Sequence, residues 1–297
     1  MQNTHQDPKP SCFRSRRKFL HRGLWTVGAI TSATIGLSVY GYVEASYIRI
    51  HEQTIELPRL PASFDGMKVA VLGDFHHSSL VSLDFIRGTV SMAETLQADA
   101  CALVGDFIHY GKTSHQHLLP CLRVLSQLSG SLGVYCVPGN HDLHLNRDLY
   151  HSEVAKTSLT DLTNRAVPMR RNNETLWFAG VDDLWWGTPD QESALANVPA
   201  DEAVILLSHN PDFAEDFPDP RVDLILSGHT HGGQAHFPWI GSPWIPSKYG
   251  DKYRHGLVEG PQSKVFVTRG IGETGIPIRV NSPPEINLLT LKKSESD

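Results

Sequence analysis

Five short apolar runs, each followed at once by Asp, Asn or His, constrain the fold of this chain more than any other feature of its sequence. Short runs that are rich in branched side chains and bounded by turn residues predict buried β-strands. Segments with helical spacing at residues 83–96 and 117–128, and a less regular one at residues 148–162, separate several of these runs, and this alternation predicts an α/β layered fold. The residues that follow the five runs are, in chain order, Asp74 and His76, Asp106, Asn140 and His141, His209, and His229 and His231.

The positions of these polar residues predict one shared site. In α/β folds, ligands bind outside the carboxyl ends of the strands, and each of the five clusters follows the end of a predicted strand. The segment 226–234 is the most concentrated, because His229 and His231 flank a single threonine there. Residues two apart in an extended segment point to the same side, so we expect both imidazoles to face one point in space. For a His-x-His taken alone, two surface histidines in a loop are the alternative.

The chemistry of the set indicates divalent metal ions. Carboxylate and imidazole together suit Mn, Fe, Zn or Co. Six or seven ligands are too many for one tetrahedral zinc ion, but they fit two ions if one carboxylate bridges them. Two ions roughly 3.5–4 Å apart can clamp the oxygens of an in-line phosphoryl displacement, and a water between them becomes a hydroxide nucleophile at neutral pH.

The ordered motifs resemble those of the calcineurin-like metallophosphoesterase superfamily. The resemblance extends from about Lys68 to the C-terminus, and it implies a four-layer α/β sandwich with two mainly mixed β-sheets, helices outside and the metal site at strand carboxyl ends. The motifs that carry it are Asp74-x-His76, Gly105-Asp106, Gly139-Asn140-His141-Asp142, His209 and Gly228-His229-x-His231.

The same resemblance implies a role for each of these residues. The first of two divalent transition metal ions would be held by Asp74, His76 and His231, and the second by Asn140, His209 and His229, with Asp106 bridging. His141 would lie beside the scissile phosphate as a general acid or charge stabiliser, and Asp142 would orient His141 through a hydrogen bond. The expected activity is hydrolysis of phosphoester or pyrophosphate bonds by a metal-bridging hydroxide. A non-catalytic scaffold on the same fold and a nuclease are the alternatives.

Motifs near the C-terminus narrow the resemblance to one bacterial branch of exported or membrane-associated phosphoesterases. These motifs include Thr268-Arg269-Gly270, Gly275-Ile276-Pro277 and Pro283-Pro284-Glu285. Some related members are UDP-2,3-diacylglucosamine pyrophosphatases, which act on a lipid A precursor. Because a precursor on the cytoplasmic face would conflict with an export signal, we do not carry that substrate over to this chain.

Residues 1–45 predict such a signal. The segment Ser15-Arg16-Arg17-Lys18-Phe19-Leu20 precedes an uncharged stretch at residues 23–43, as in twin-arginine export signals. An ordinary membrane anchor with incidental arginines is the alternative, and cleavage of the segment is left open. We therefore expect a twin-arginine signal or membrane anchor at residues 1–45 and a catalytic domain at residues 46–297 on the outer side of the inner membrane.

Net charge limits the partners that the catalytic domain can bind. Removing residues 1–45 takes away six basic and two acidic residues, which changes the net charge from −6 to −10. Nucleic-acid binding requires a basic face, so we expect no nucleic acid as partner. The expected partners are a phosphoester substrate, with a lipid-linked one as an option, the twin-arginine export machinery, and a membrane surface contacted by Trp239 and Trp244.

Several other residues keep two interpretations. Arg269 and Arg279 could grip a phosphate or form structural pairs. The tryptophans could line a lipid groove, contact the bilayer interface, or simply pack in the core or in a loop; they are Trp185, Trp186, Trp239 and Trp244. His77 is expected to be a spare surface histidine that points away from His76. The cysteines at positions 101 and 136 lie in apolar runs and are expected to be small core residues outside any disulfide framework.

Overall fold

The computed structural model describes residues 12–111 and 114–294. Within these residues the helices are α1 (Cys12–Ala45), α2 (Leu83–Glu94), α3 (His115–Leu125), α4 (Asn140–Leu145), α5 (Arg147–Val154), α6 (Gln191–Leu195) and α7 (Phe213–Asp216). The strands are β1 (Arg49–Leu57), β2 (Lys68–Leu72), β3 (Ala100–Leu103), β4 (Gly133–Cys136), β5 (Thr160–Asp161), β6 (Arg165–Arg171), β7 (Glu174–Gly180), β8 (Ala203–Leu207), β9 (Val222–Ser227), β10 (Gly256–Glu259), β11 (Lys264–Val267) and β12 (Glu285–Lys293).

The strands form two sheets of six, and both sheets are mixed. The first has the order β1-β12-β2-β3-β4-β5, in which only the pairing of β12 with β2 is antiparallel. The second has the order β10-β11-β9-β8-β7-β6, in which both outer pairs are antiparallel and the central strands are parallel. All five motif-bearing strands therefore lie inside parallel blocks, which bring their carboxyl ends to one edge.

Alternation along the strands builds the layers. In β2, Val69 and Val71 belong to a core cluster that also contains Ile205 and Leu224 of the second sheet, so this cluster joins the two sheets. The intervening Ala70 and other outward residues pack with side chains of α2, α3 and α5. The outer face of the second sheet packs with residues of α6 and α7. The predicted four-layer α/β sandwich is therefore confirmed.

The predicted cysteine environment is also confirmed where the structure describes it. Cys101, Cys121 and Cys136 are buried and free, and burial raises the pKa of the Cys101 thiol to about 12. They act as small apolar core residues.

The elements at the sheet edges differ from the sequence-based prediction. The strands β5, β6 and β10 were not predicted, because most of their residues are only half-buried and lack a clean alternation. Pro168 within β6 is tolerated because β6 is an edge strand. The predicted helix at residues 148–162 is wrong in its second half, since α5 ends at Val154 and β5 pairs with β4. Pairing with a neighbouring strand outweighs local helical spacing there.

The helix α1 carries the predicted export segment. Its large apolar side chains between Leu24 and Val43 are exposed, whereas Gly41, Glu44 and Ala45 are buried. Arg16 and Arg17 lie within α1, and their side chains are outside the part of the chain that the structure describes. No helix in residues 12–111 and 114–294 is both long and apolar enough to cross a membrane.

Candidate metal centre

The two sheets bring all the predicted ligands to one edge. Asp74 and His76 follow β2, Asp106 follows β3, Asn140 begins α4 after β4, and the remaining histidines follow β8 and β9. Hydrogen bonds across the sheets fix this edge, because His209 Nδ1 lies 2.7 Å from the Val104 carbonyl oxygen and the His229 amide donates to Asp74 Oδ1 at 2.9 Å. Residues distant in sequence therefore share one buried site.

An unusual backbone conformation places most of these side chains. The φ angles are 51° at Asp74, 46° at His76, 54° at Asp106, 71° at His229 and 52° at His231. Residues other than glycine rarely adopt this left-handed region, and such conformations cluster at functional sites. The prediction that His229 and His231 face one point through extended alternation is therefore wrong, since the loop turns at both residues.

Two glycines leave the space that the carboxylates occupy. A Cβ atom on Gly228 would lie 2.3 Å from Asp74 Oδ2, and one on Gly139 would lie 2.2 Å from Asp106 Oδ1. Any side chain at these positions would displace a carboxylate, which explains why the Gly-His and Gly-Asn motifs begin with glycine.

The first ligand cluster consists of Asp74, His76 and His231, all buried. His76 Nε2 lies 3.0 Å from His231 Nε2, and His231 Nε2 lies 3.5 Å from Asp74 Oδ1. One potential ligand atom of each residue lies within 4.8 Å of the others, so the three could hold one metal ion.

The second ligand cluster consists of Asp106, His209 and His229, which are also buried. His209 Nε2 lies 3.3 Å from Asp106 Oδ2 and 3.1 Å from His229 Nδ1. Asn140 Oδ1 lies 3.1 Å from the same His209 nitrogen, so the amide oxygen faces this cluster as well. His229 and His231 thus serve different clusters, as the family resemblance implied.

Asp106 lies between the two clusters. Its Oδ2 atom is 3.5 Å from His76 Nε2 in the first cluster and 3.3 Å from His209 Nε2 in the second. The imidazole nitrogens and carboxylate oxygens that converge here are the ligands preferred by Mn, Fe, Zn and Co, so the donor set fits divalent transition ions.

The carboxylates and imidazoles of the two clusters shift one another's pKa values. Burial raises the pKa of Asp74 to about 7, and the neighbouring Asp106 adds to the rise. Burial acts to raise the pKa of Asp106 too, but the charges of His209 and His141 outweigh it and hold that pKa well below its usual range. Burial opposes protonation of His209, yet the Asp106 carboxylate raises the pKa of His209 to about 10. A cation bound by His209 would compete with a proton for the same ring nitrogen.

His141 lies next to the first cluster. Its ring centroid is 4.6 Å from that of His76, and its amide donates to Asp106 Oδ1 at 2.8 Å. Its Nδ1 atom accepts a hydrogen bond from the Tyr110 amide at 3.3 Å. In the neutral ring this bond places the proton on Nε2, so His141 can act as a hydrogen-bond donor.

Asp142 does not orient His141 as predicted. Its Oδ1 accepts from the amides of Phe107 and Ile108 at 2.9 and 3.2 Å, and its Oδ2 accepts from the Gly139 amide at 2.9 Å. A residue in the first turn of a helix such as α4 directs its side chain back to the helix start, which explains these partners. Asp142 therefore ties the Asp106 loop to the start of α4.

The two arginines form structural contacts rather than an open phosphate grip. Arg279 is fully buried and donates to four backbone carbonyl oxygens, including those of Arg269 and Ser282 at 3.0 and 2.9 Å. Arg269 pairs with Glu285.

The prediction of a surface His77 is wrong, because His77 is buried with Nδ1 2.9 Å from the Val81 carbonyl oxygen.

A pocket of about 360 Å³ opens onto both clusters. Its wall includes four residues that were not assigned to the site from the sequence or were left open there: His109, Tyr110, Trp185 and Trp244. The Trp185 ring meets the His229 ring edge to face at 4.3 Å. His109 follows Asp106 by three residues, and this spacing is the one sequence signal that could have identified it. One nitrogen each of His76, His109 and His141 also lie within 4.8 Å of one another.

Comparisons with known proteins agree with this geometry. The family model of the calcineurin-like phosphoesterases matches residues 67–233. The uncharacterized metallophosphoesterase YkuE of Bacillus subtilis is 33% identical over 286 residues, which cover 94% of this chain and 98% of that protein. Phosphodiesterase YaeI of Escherichia coli is 29% identical over 281 residues, which cover 93% of this chain and 99% of that protein. The chain therefore belongs to the calcineurin-like phosphoesterase family and is a metal-dependent phosphoester hydrolase.

Proposed function

We propose that this protein hydrolyses phosphodiesters at a dinuclear metal centre. The observation that carries the proposal is the position of Asp106 between two complete ligand clusters. Asp74, His76 and His231 would hold one ion, Asn140, His209 and His229 the other, and Asp106 both. When bound, two divalent ions supply Lewis acidity and a hydroxide nucleophile at neutral pH.

The chain's own residues supply orientation and charge stabilisation. The ligand loops are buried, which limits where the phosphoryl group can bind. His141 would donate a hydrogen bond from Nε2 to the leaving oxygen or to a phosphoryl oxygen and so stabilise the charge that develops there, because its Nδ1 already accepts from the Tyr110 amide. The aromatic rings of Tyr110, Trp185 and Trp244 would contact the organic part of the substrate.

The choice of phosphodiesters rests on one relative and on the shape of the site. YaeI, which matches this chain over almost its whole length, is named a phosphodiesterase. A diester brings two organic groups, and the lining of the pocket includes three aromatic side chains that could contact them, those of Tyr110, Trp185 and Trp244. A non-catalytic scaffold would have no need to keep both ligand clusters and the His141 donor together.

The test is turnover of the purified protein with added Mn²⁺ or Zn²⁺ on a matched panel. Bis(p-nitrophenyl) phosphate should be hydrolysed at least tenfold faster than p-nitrophenyl phosphate or a nucleotide sugar pyrophosphate. Faster cleavage of the monoester or of the pyrophosphate would reject the diester assignment. Preferential cleavage of single- or double-stranded DNA would favour the nuclease alternative.

We also propose that the protein is exported by the twin-arginine route. Support comes from the Arg16-Arg17 pair ahead of an uncharged helical stretch. The double substitution Arg16→Lys and Arg17→Lys keeps the charge and should leave the protein in the cytoplasm, whereas the wild type becomes accessible to external protease in spheroplasts. Equal protease accessibility of both proteins would reject this route.

A membrane surface is the proposed working place of the exported protein. Trp239 and Ile240 project fully exposed from the loop that leads from His231 to Trp244, and Trp is favoured at membrane interfaces. Trp239→Ala should lower turnover of a phospholipid diester in vesicles several-fold and leave turnover of soluble bis(p-nitrophenyl) phosphate unchanged. An equal effect, or no effect, on the two substrates would contradict a surface contact at Trp239.

A further inference from the structure

The last turn of α1 is seated on the catalytic body. The Gly41 carbonyl oxygen accepts a hydrogen bond from the Arg279 amide at 3.0 Å, and Glu44 Oε2 accepts one from the Asn281 amide at 2.7 Å. A Cβ atom on Gly41 would lie 2.2 Å from Ile278 Cγ2, so only glycine allows this close approach. The end of α1 thereby fixes the backbone of residues 278–281.

Arg279 links the end of α1 to the interior of the catalytic domain. Its guanidinium is fully buried and donates to the carbonyl oxygens of Arg269, Gly270, Gly272 and Ser282. These carbonyl groups accept from both Nη atoms of the buried guanidinium, and Arg279 in turn holds the loop of residues 269–282 together. The Arg279 side chain therefore connects the part of residues 269–282 that contacts α1 with the part that contacts the metal centre.

The loop that Arg279 closes packs directly on the first ligand cluster. The Gly272 amide donates to the Asp74 carbonyl oxygen at 2.6 Å, and a Cβ atom on Gly270 would lie 2.5 Å from Asp74 Cβ. Ser282 Oγ donates to the His231 carbonyl oxygen at 2.7 Å. Two of the three ligands of the first cluster are therefore supported by the segment on which α1 is seated.

The second cluster is supported from elsewhere. His209 Nδ1 is held 2.7 Å from the Val104 carbonyl oxygen, and Asp106 accepts from the His141 amide. These contacts come from the loops after β3 and β4. The His229 amide also donates to Asp74, so a disturbance at the end of α1 should weaken binding of the first ion more than binding of the second.

We propose that Gly41 and Glu44 of α1 are positioning residues of the first metal site, acting through Arg279 on Asp74 and His231. The inference rests on the proposed dinuclear function. It assigns to the N-terminal helix a role in metal affinity that is separate from any role in export. Outer contacts of this kind typically change metal affinity 10–100-fold when they are removed.

The test compares two glycines of the same helix in the full-length protein. Gly41→Leu introduces a side chain where there is no space, whereas the matched control Gly36→Leu places the same side chain where nothing lies within 4 Å of the new Cβ. Metal-free protein is titrated with Mn²⁺ alone in a calorimeter, and protection of residues 269–282 from hydrogen exchange is measured in parallel. Gly41→Leu should bind one ion about 10–100-fold more weakly and the other ion with a clearly smaller loss, with faster hydrogen exchange in residues 269–282. Gly36→Leu should match the wild type in both measurements.

Glu44→Ala guards against general misfolding, because it removes one acceptor without adding bulk. Glu44→Ala should also lower the affinity for the ion that Gly41→Leu binds more weakly. Wild-type binding of both ions by Gly41→Leu would overturn the inference, and so would equal weakening of both ions in Gly41→Leu and Glu44→Ala. If the wild type itself binds fewer than two ions, the proposed dinuclear function fails first, and the inference falls with it.

Discussion

The substitution Asp106→Asn tests the dinuclear arrangement most directly. An asparagine keeps the shape of the side chain and can still accept the 2.8 Å hydrogen bond from the His141 amide, so the loop is expected to keep its conformation. What changes is one negative charge that lies beside both clusters, 3.5 Å from His76 Nε2 and 3.3 Å from His209 Nε2. Both ions should therefore lose affinity together.

The expected size follows from Coulomb's law. A carboxylate charge about 4 Å from one unit of positive charge at an effective dielectric constant of about 20 contributes about 4 kcal/mol, and the Coulomb term is twice as large for a divalent ion. Since about 1.4 kcal/mol corresponds to a factor of ten, each ion should bind at least roughly 10³-fold more weakly. Asp74→Asn removes a carboxylate from the first cluster alone, so it should weaken one ion by a similar factor and spare the other.

Calorimetric titration of the metal-free proteins with Mn²⁺ measures the binding of each of the two ions. Elemental analysis after gel filtration counts the ions that each protein retains. Turnover of bis(p-nitrophenyl) phosphate at saturating Mn²⁺ reports whether refilling the site restores activity. If Asp106→Asn keeps one ion at wild-type affinity, Asp106 belongs to one site only and the bridging arrangement is refuted.

Two histidines, one at the site and one away from it, give further predictions. His141→Ala should lower the turnover number by about 10²–10⁴-fold while elemental analysis finds the wild-type metal content, and a proportional loss of metal would instead make His141 a ligand. Away from the site, the hydrogen bond to Asp161 raises the pKa of His151, so its stabilisation is complete below the unfolded value of about 6.5 and is lost as the pH rises through the folded pKa. Urea unfolding should accordingly show that His151→Gln is less stable than the wild type at pH 5.5 but differs less from it at pH 9, and a constant difference would contradict this pairing.

The sequence by itself determined which residues form the site and at which edge of the fold they meet. Each ligand group directly follows a short buried strand, and both features are local, so they can be recognised in a single segment. Parallel packing of those strands then has to bring their carboxyl ends together, which is why the sequence alone assigns Asp74, Asp106 and His209 to one centre.

Only the tertiary structure gave the physical reason why these residues divide between two clusters. His229 and His231 face different clusters because their backbones are left-handed, and that strain is maintained by hydrogen bonds from distant loops such as Ser282 to His231. The sequence left Arg279 open between a phosphate grip and a structural pair, and the structure shows it donating to four backbone carbonyl groups. The Phe107 and Ile108 amides that Asp142 accepts from, and the residues 278 and 279 that contact Gly41, are likewise distant in sequence. Contacts of this kind have no local signature, because they depend on which surfaces the packed sheets bring together.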